Sequence, residues 1–255
     1  MTAPTPVQPH AEPLSIDGGR VGVLLSHGFT GSPASMKPWG QDLADRGFTV
    51  RVPRLPGHGT HWRDLNGVGW DDWYAELDAA LSELRTTCDH VAVCGLSMGG
   101  ALALRLAELR PDDVQALVLV NPAIATRNWQ LRLVPALKHV FPSMPGIGND
   151  IKKPGADEVG YQRTPLRALH TLLRAWPAIE ADLAKVTAPL LIFRSMDDHV
   201  VDETSLGLIQ RGVSSPVAEY ITLTDSYHVA TLDFDAQLIF DRSADFLTQH
   251  LGSPR

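Results

Sequence analysis

The chain has 255 residues, 44% of them hydrophobic and 20% charged. A chain of this length buries roughly 70–75% of the surface that it exposes when unfolded, enough to form one hydrophobic core. Its 22 basic and 29 acidic residues leave a net charge of −7. Nucleic acid is therefore not expected as a partner, because its phosphates would be repelled.

Cysteine use and the first residues of the chain bear on its location. Cys88 and Cys94 are too few for a disulfide framework and lack zinc-ligand spacing, which predicts a reducing, cytoplasmic location and no metal site. Residues 1–14 are predicted to be a disordered lead-in, since the first ten contain three prolines and no signal-peptide pattern. No apolar run approaches the roughly 18 residues that a membrane span requires.

Short β-rich runs alternate with amphipathic helical patterns along most of the chain. Strands are predicted at residues 21–26, 48–52, 90–95, 115–120, 190–194 and 218–223, and helices at 36–46, 73–85, 98–108, 205–210 and 235–250. The apolar continuity of the strands indicates burial on both faces. This alternation predicts an α/β fold with a mainly parallel central sheet flanked by helices.

One segment interrupts the alternation. Between Asn121 and Pro189, about 65 residues contain helical patterns but no convincing strand, which is too long for a plain crossover connection. Its first half mixes apolar side chains with helix-interrupting residues: Trp129, Leu131, Leu133, Val134, Leu137, Val140 and Phe141 with Pro135, Pro142, Pro145 and Gly146. The segment is predicted to be an insertion over one end of the sheet; alternatively, its apolar residues only dock it onto the core.

A candidate nucleophile follows the third predicted strand. The run Gly95-Leu-Ser97-Met-Gly99 has the pattern G-x-S-x-G between an apolar strand and a helical run. In a sharp strand-to-helix turn the glycines avoid clashes, and the serine side chain projects clear of the sheet. The helix that starts there also directs backbone N–H groups at the same point, which favours developing negative charge.

A second glycine-rich turn supports this interpretation. It follows the first predicted strand and contains His27, Gly28 and Phe29. The backbone N–H groups of Phe29 and of Met98, the residue after the candidate nucleophile, are predicted to form an oxyanion hole. His27 is expected to brace the loop by hydrogen bonding rather than to act as a base.

The general base is expected late in the chain, since this motif is followed by an acid and then a histidine. His228 is favoured, because it lies in a polar loop between the last predicted strand and the last helix. His250, within the final helical pattern, is expected to be a solvated surface residue. His199 directly follows the candidate acids, so its ring would diverge from the neighbouring carboxylate.

The acid is expected in the loop after residues 190–194, where two carboxylates are adjacent. Asp198 is favoured over Asp197, because the valines that follow it can pack the loop back onto the core. Asp197 remains the alternative. Asp225 is a more distant candidate, whose place beside the histidine loop favours a turn or capping role.

Five segments together resemble the α/β-hydrolase superfamily, and more narrowly its bacterial monoacylglycerol lipases and related carboxylesterases. They are His27-Gly-Phe-Thr-Gly31, Arg54-Leu-Pro-Gly-His58-Gly59, Gly95-Leu-Ser97-Met-Gly99, Asp198-His-Val-Val201 and Ser226-Tyr-His228-Val-Ala-Thr-Leu-Asp233. The resemblance implies an α/β-hydrolase core over residues 15–121 and 186–255, a small helical cap over 122–185, and a serine hydrolase without cofactor. The Arg54–Gly59 motif is common in this superfamily as a loop beside the site, so His58 is expected to be structural and not part of the triad.

The same resemblance implies roles for two residues of the cap. Ile147 corresponds to an apolar gate over an acyl tunnel, and Glu158 to a residue that contacts the glycerol head group; a solvated helix face is the alternative for Glu158. The implied substrate is a small lipid ester, a monoacylglycerol, which is cleaved to fatty acid and glycerol through an acyl-enzyme on Ser97. Transient contact of the cap with a lipid surface, and the oligomeric state, are left open.

The residues themselves indicate a serine hydrolase with an apolar cap, without naming the alcohol or the acyl length. A carboxylesterase for short- to medium-chain or xenobiotic esters is the first alternative. A hydrolase of carbon–carbon bonds or a cofactor-free peroxidase with the same triad is more distant. A non-catalytic ligand receptor on a hydrolase fold belongs to a different functional class.

Overall fold

A seven-stranded sheet forms the centre of the molecule in the computed structural model, which describes residues 5–254. The strands of the chain are β1 (Leu14–Ile16), β2 (Val21–Ser26), β3 (Thr49–Val52), β4 (His90–Leu96), β5 (Ala116–Val120), β6 (Ser143–Pro145), β7 (Arg163–Pro165), β8 (Leu190–Ser195) and β9 (Ala218–Leu223). The sheet has the order β1-β3-β2-β4-β5-β8-β9, and within these seven described strands only the β1–β3 pair is antiparallel. The prediction of a mainly parallel sheet is confirmed.

Helices cover both faces of this sheet, as predicted. They are α1 (Lys37–Asp45), α2 (Trp62–Leu65), α3 (Trp70–Thr87), α4 (Met98–Leu109), α5 (Val134–Leu137), α6 (Leu166–Asp182), α7 (Thr204–Gly212) and α8 (Ala236–Leu251). The buried side chains of α1 and α8 pack on one face, and those of α3, α4, α6 and α7 belong to the core on the other.

The strands are apolar throughout because successive side chains enter different halves of the core. In β4, Val91 and Val93 pack with α3 and α4, whereas Ala92 and Cys94 pack with α1 and α8. All four side chains are fully buried. This pattern is expected of a parallel strand covered by helices on both sides. Five neighbouring strands, β2, β4, β5, β8 and β9, run parallel. Their carboxyl ends therefore lie at one edge of the sheet, where the loops that follow them meet.

Residues 122–185 differ in one respect from the prediction. They contain α5 and α6, but also a separate antiparallel pair in which Ser143 of β6 faces Pro165 of β7. The expectation of no strand in this segment is therefore wrong. Each strand has three residues and includes a proline, so neither carries a readable periodicity. Leu172 and Ile179 of α6 join the main core, and the boundaries of a cap stay a prediction.

The first residues pack more closely than a disordered lead-in would. Residues 1–4 of that predicted segment lie outside the described part of the chain. From there on, the Gln8 N–H donates to the Gly59 carbonyl oxygen at 2.8 Å, Ala11 is buried, and Leu14 pairs with Val52. Within residues 5–254, no helix has both the length and the apolar character needed to cross a membrane.

Candidate active site

Ser97 lies in the sharp turn between the end of β4 and the start of α4. Its backbone has φ 56° and ψ −117°, so φ is in the left-handed range that residues other than glycine rarely adopt. Its N–H donates to the Val120 carbonyl oxygen at 3.0 Å, which ties the turn to β5. A Cβ on Gly95 would lie 2.3 Å from the Gly99 carbonyl oxygen, and a Cβ on Gly99 would lie 2.1 Å from that of Ser26. The turn therefore requires both glycines of the motif.

Neither of the two backbone N–H groups predicted to bind an oxyanion has a hydrogen-bond partner among the residues that the structure describes. Met98 is the first residue of α4, so its N–H has no partner within the helix, and the Ser97 side chain does not cap it. The Phe29 N–H donates no hydrogen bond within residues 5–254. A Cβ on Gly28 would lie 3.5 Å from the Ser97 Cβ, so the loop that carries Phe29 passes directly beside the candidate nucleophile.

A buried histidine braces this loop, as expected from the sequence. His27 Nε2 accepts a hydrogen bond from the Leu55 N–H at 3.2 Å, so its Nδ1 carries the proton and donates to the Gly28 carbonyl oxygen at 3.0 Å. Burial lowers the pKa of His27 to about 4, so the ring is neutral. The His58 ring packs edge-on at 4.9 Å, and burial lowers its pKa also. Both rings support the loop.

An acid–base pair forms at the ends of β8 and β9. His228 Nδ1 lies 2.9 Å from Asp198 Oδ2. The Asp198 carboxylate can only accept a hydrogen bond when ionised, so Nδ1 carries the proton and Nε2 is left as the basic nitrogen. Asp198 Oδ1 accepts hydrogen bonds from the Val200 and Val201 N–H groups at 2.9 and 2.8 Å. The loop after β8 thus folds around the carboxylate and holds it toward the imidazole.

The Asp198 carboxylate stays ionised although its side chain is fully buried. Burial raises its pKa, but the facing His228, the Val201 N–H and the Arg194 guanidinium outweigh that effect and bring the pKa down to about 2. Asp197, the alternative acid, is exposed. Asp225 forms an ion pair with Lys152 at 2.7 Å. Of the three candidates, the structure brings only Asp198 to His228.

Asn121 connects the candidate nucleophile to the candidate base through the end of β5. It follows Val120, whose carbonyl oxygen accepts from the Ser97 N–H, and its own side-chain Nδ2 donates to the His228 carbonyl oxygen at 2.8 Å. Its Oδ1 accepts from the Ser195 N–H at 2.9 Å. No hydrogen bond joins Ser97 Oγ to His228 within the described residues. Catalytic hydrogen bonds of this type often tighten only when substrate binds.

Asp150, in the segment between β6 and β7, bonds to the loop after β8 and to the loop after β9. Its Oδ2 accepts from the His228 N–H at 3.1 Å, and its Oδ1 lies 2.8 Å from His199 Nδ1. Its carbonyl oxygen accepts from the Val229 N–H at 3.0 Å. Sequence reasoning singled out neither Asp150 nor Asn121. The position of Asn121, at the end of a strand beside a proline, weakly indicated a role at the site. Nothing in the sequence around Asp150 indicated one.

The remaining histidine candidates are engaged elsewhere. His199 is exposed, and its ring bonds to Asp150 rather than to Asp198. That hydrogen bond raises the pKa of His199. His250 packs its ring against Phe246 with centroids 4.5 Å apart, and its Nε2 is buried without a partner among the described residues. It is therefore partly buried rather than fully solvated as expected.

The two residues assigned to the cap by resemblance occupy different environments. Glu158 is buried, and its Oε1 accepts from the Asn149 N–H at 2.9 Å. A Cβ on Gly31 would lie 3.2 Å from Glu158 Oε2, so this carboxylate borders the loop that carries Phe29. Burial raises the pKa of Glu158. Ile147 is 62% exposed. Glu158 therefore lies beside the candidate site, and a solvated helix face does not describe it.

Residues 5–254 hold no group of three or more His, Cys, Asp and Glu side chains arranged to bind a metal ion. The chemistry of the site rests on one serine hydroxyl, one imidazole–carboxylate pair and two backbone N–H groups. That set of groups suits acyl transfer.

Comparison with known proteins decides the family. The family model Hydrolase_4, described as serine aminopeptidase, S33, matches residues 20–235. The chain belongs to this family of α/β-hydrolases. Its match spans the turn at Ser97, the loops of Asp198 and His228 and the whole segment between β5 and β8.

Three relatives show where the chain lies among these hydrolases. The thermostable monoacylglycerol lipase of Bacillus sp. (strain H-257) is 40% identical over 99% of this chain and 100% of its own. The carboxylesterase of Bacillus subtilis (strain 168) is 24% identical over 92% of this chain and 96% of its own. A solved structure described as LipS and LipT, two metagenome-derived lipolytic enzymes, aligns with a TM-score of 0.93 at 40% identity, covering 96% of this chain and 100% of that one.

Proposed function

We propose that the protein hydrolyses monoacylglycerols to a fatty acid and glycerol through an acyl-enzyme on Ser97. The observation that carries this proposal is the positive-φ turn at Ser97 beside the Phe29 and Met98 N–H groups, which have no partner within residues 5–254. The chain that carries this turn is 40% identical to a monoacylglycerol lipase over 99% of its length. Hydrolysis of carboxylic esters is common to that relative and to the 24% identical carboxylesterase.

The first half of the reaction acylates the serine. His228 Nε2 takes the proton of Ser97 Oγ as the oxygen attacks the ester carbonyl, and the Phe29 and Met98 N–H groups donate to the oxyanion. Asp198 keeps the imidazole in the correct tautomer and stabilises its positive charge. When the tetrahedral intermediate collapses, the ester C–O bond breaks and His228 returns the proton to the leaving glycerol oxygen.

The second half releases the acid. A water molecule gives a proton to His228 and attacks the acyl carbonyl, again with the oxyanion held by the two N–H groups. The bond between Ser97 Oγ and the acyl carbon then breaks. The serine regains its proton from His228, and the fatty acid leaves.

Glu158 is the residue that recognises glycerol in this proposal. Its Oε1 is held by the Asn149 N–H, and its carbonyl oxygen accepts from the Ser32 hydroxyl, so the side chain is fixed in place. Within residues 5–254 its Oε2 accepts no hydrogen bond, and this oxygen borders Gly31 in the loop that carries Phe29. It is therefore available to accept a hydrogen bond from a glycerol hydroxyl.

Ile147 and its neighbours are assigned to the acyl chain and to the lipid surface from which the substrate comes. Exposed apolar side chains are concentrated here: Trp129, Leu133, Val140, Phe141, Met144 and Ile147. We call these six side chains the apolar patch. A concentration of this kind on one segment supports contact with a lipid surface.

We also propose a cytoplasmic location, which the two free cysteines support. Cys88 and Cys94 are buried as free thiols, and burial raises the pKa of Cys94. Neither thiol contributes a disulfide, as expected of a protein that folds in a reducing compartment.

The test compares a monoacylglycerol with the methyl ester of the same fatty acid. Replacing Glu158 with alanine should leave a buried glycerol hydroxyl unpaired and lower kcat/KM for the monoacylglycerol by about 1–3 kcal/mol, or roughly 5- to 150-fold. The methyl ester, which has no such hydroxyl, should be hydrolysed at nearly the wild-type rate. Asp157→Ala, at the exposed neighbouring position, is the control and should affect neither substrate.

Two results would contradict the proposal. Equal losses on both esters would mean that Glu158 only packs the segment. A wild-type protein that hydrolyses matched methyl and p-nitrophenyl esters at least as well as the monoacylglycerol would be a general carboxylesterase.

A further inference from the structure

A cation lies against the buried carboxylate of the acid–base pair. Arg194, on β8, donates through Nη1 to Asp198 Oδ2, the same oxygen that lies against His228 Nδ1. Through Nη2 it donates to the Val201 carbonyl oxygen. The Arg194 side chain is 14% exposed and that of Asp198 is 0% exposed. The reaction steps above make no use of this guanidinium.

At rest His228 and two backbone N–H groups give the carboxylate hydrogen bonds, but none of these three groups brings a positive charge. A buried anion without compensation costs several kcal/mol, since water is excluded from it. The base must be neutral before it takes the serine proton, so it brings a hydrogen bond but no positive charge. Arg194 is the one arginine or lysine paired with Asp198 among residues 5–254.

Other charged groups lie around the pair on two neighbouring segments, and none of them pairs with Asp198 in place of Arg194. From the segment between β6 and β7 come Asp150, which accepts the His228 N–H, Glu158, which is buried near His228, and Lys152, which pairs with Asp225. From the loop after β8 come Asp197, which is exposed, and His199, which pairs with Asp150. The nearby anions favour a proton on the pair, whereas Arg194 disfavours it.

We propose that Arg194 is a positioning residue that holds Asp198 ionised and weakens the hold of the pair on a proton, which keeps His228 available as a base at lower pH. The proposal rests on the assignment of Asp198 and His228 in the proposed function. The positive charge of Arg194 weakens proton binding whichever member of the pair carries the proton, because a neighbouring positive charge disfavours protonation of both.

The experiment is a pH profile of kcat/KM on a soluble p-nitrophenyl ester for Arg194→Met, Arg194→Gln and Arg194→Lys. The acid limb should move up by about one pH unit in Arg194→Met and Arg194→Gln, the size expected for one charge at this range in a partly screened site. Arg194→Lys keeps the charge and should stay within about 0.3 pH unit of wild type. Arg194→Gln keeps a donor for the Val201 carbonyl oxygen, so it still tests the effect of the lost charge if Arg194→Met does not fold.

The matched control is Arg242→Gln, which removes the same charge from an exposed pair with Glu219 and should leave the acid limb unchanged. An unchanged acid limb with equal losses at every pH in the Gln and Met variants would overturn the proposal, as would a Lys variant that behaves like Gln. Labelling of Ser97 by a fluorophosphonate separates this failure from failure of the proposed function. Labelling persists if only the role of Arg194 is wrong, and it is absent if Ser97 is not the nucleophile.

Discussion

At Ser97 the backbone adopts a conformation that costs about 1–3 kcal/mol in a residue other than glycine. The φ of 56° persists because the surrounding structure determines it: Gly95 and Gly99 allow β4 and α4 to meet, and the Ser97 N–H is bonded to Val120. The strain places the hydroxyl at the start of a helix, where backbone N–H groups stabilise negative charge. The positive φ of Ser97 thus explains why the motif needs its two glycines and why the serine hydroxyl lies at the start of α4.

The two adjacent aspartates provide a prediction at the same scale. Asp198→Asn should reduce kcat by several orders of magnitude, because an asparagine there no longer fixes the proton on His228 Nδ1 or supports the imidazolium. Asp197→Asn, at the exposed neighbouring position, is the matched control and should retain most of the activity. Steady-state kinetics on one ester measures both variants. Equal losses, or the larger loss at Asp197, would move the acid one residue upstream.

The residues that carry a local pattern were predictable, whereas those that act only through distant contacts were not. Ser97 has a motif around it, and His228 lies in a polar loop between two recognisable elements. Asp150 acquires its place from a bond to His228 across 78 positions, and Asn121 from a bond to His228 across 107 positions. Arg194 lies on a mostly apolar strand, and its contact with Asp198 forms only when the loop after β8 folds back onto that strand.

Among the elements, α4 and α6 meet around a buried carboxylate. Glu108 of α4 has a fully buried side chain, and its Oε2 accepts from Arg105, which also bonds to Asp182 of α6. Its Oε1 has no partner within the described residues. Burial raises the pKa of Glu108 to about 7, and the neighbouring Arg105 offsets only part of that effect.

This carboxylate should make stability depend on pH. The folded state holds a proton that the unfolded chain releases near the usual value of 4.5, so the free energy of unfolding should fall as pH rises toward about 7 and stay low above it. Glu108→Gln removes the cost of ionising the buried carboxyl. The gain in free energy of unfolding over wild type should therefore be about 1–3 kcal/mol larger at pH 8 than at pH 5.

Urea unfolding of wild type and variant at the two pH values measures the difference. Glu180→Gln, on the exposed side of α6, is the control and should show no such difference. An equal effect of Glu108→Gln at pH 5 and pH 8 would mean that Glu108 is ionised throughout this range.

Element boundaries were predictable where the apolar pattern is long. The predicted strands at 21–26 and 218–223 coincide with β2 and β9, and the last predicted helix differs from α8 by one residue at each end. β6 and β7 were missed because three residues with a proline carry no strand pattern. Their pairing depends on 17 residues of intervening chain between Pro145 and Arg163, which no local rule brings together.

Across the whole molecule, charge is distributed unevenly. The net charge is −7, yet residues 122–149 contain Arg127, Arg132 and Lys138 and no acidic residue. The apolar patch belongs to this basic segment. A lipid surface with anionic head groups would therefore attract this side of a molecule that it repels on average.

Leucine-to-serine variants test this surface. Leu133→Ser should weaken cosedimentation of the protein with vesicles of anionic lipid by about three- to tenfold, because one apolar side chain of the patch is lost. Leu109→Ser removes an equally exposed leucine at the far end of α4, since the two side chains are 47% and 45% exposed, and should have no effect. The same result for both variants would mean that the patch does not bind lipid.

The central claim is that the reaction passes through a covalent bond to Ser97. A fluorophosphonate that mimics an ester should add once per chain, and peptide mass spectrometry should place it on Ser97. Ser97→Ala should melt like wild type, take up no label and retain less than roughly a thousandth of the wild-type kcat. A label on another residue, or a Ser97→Ala variant that still hydrolyses the ester above that level, would contradict the account.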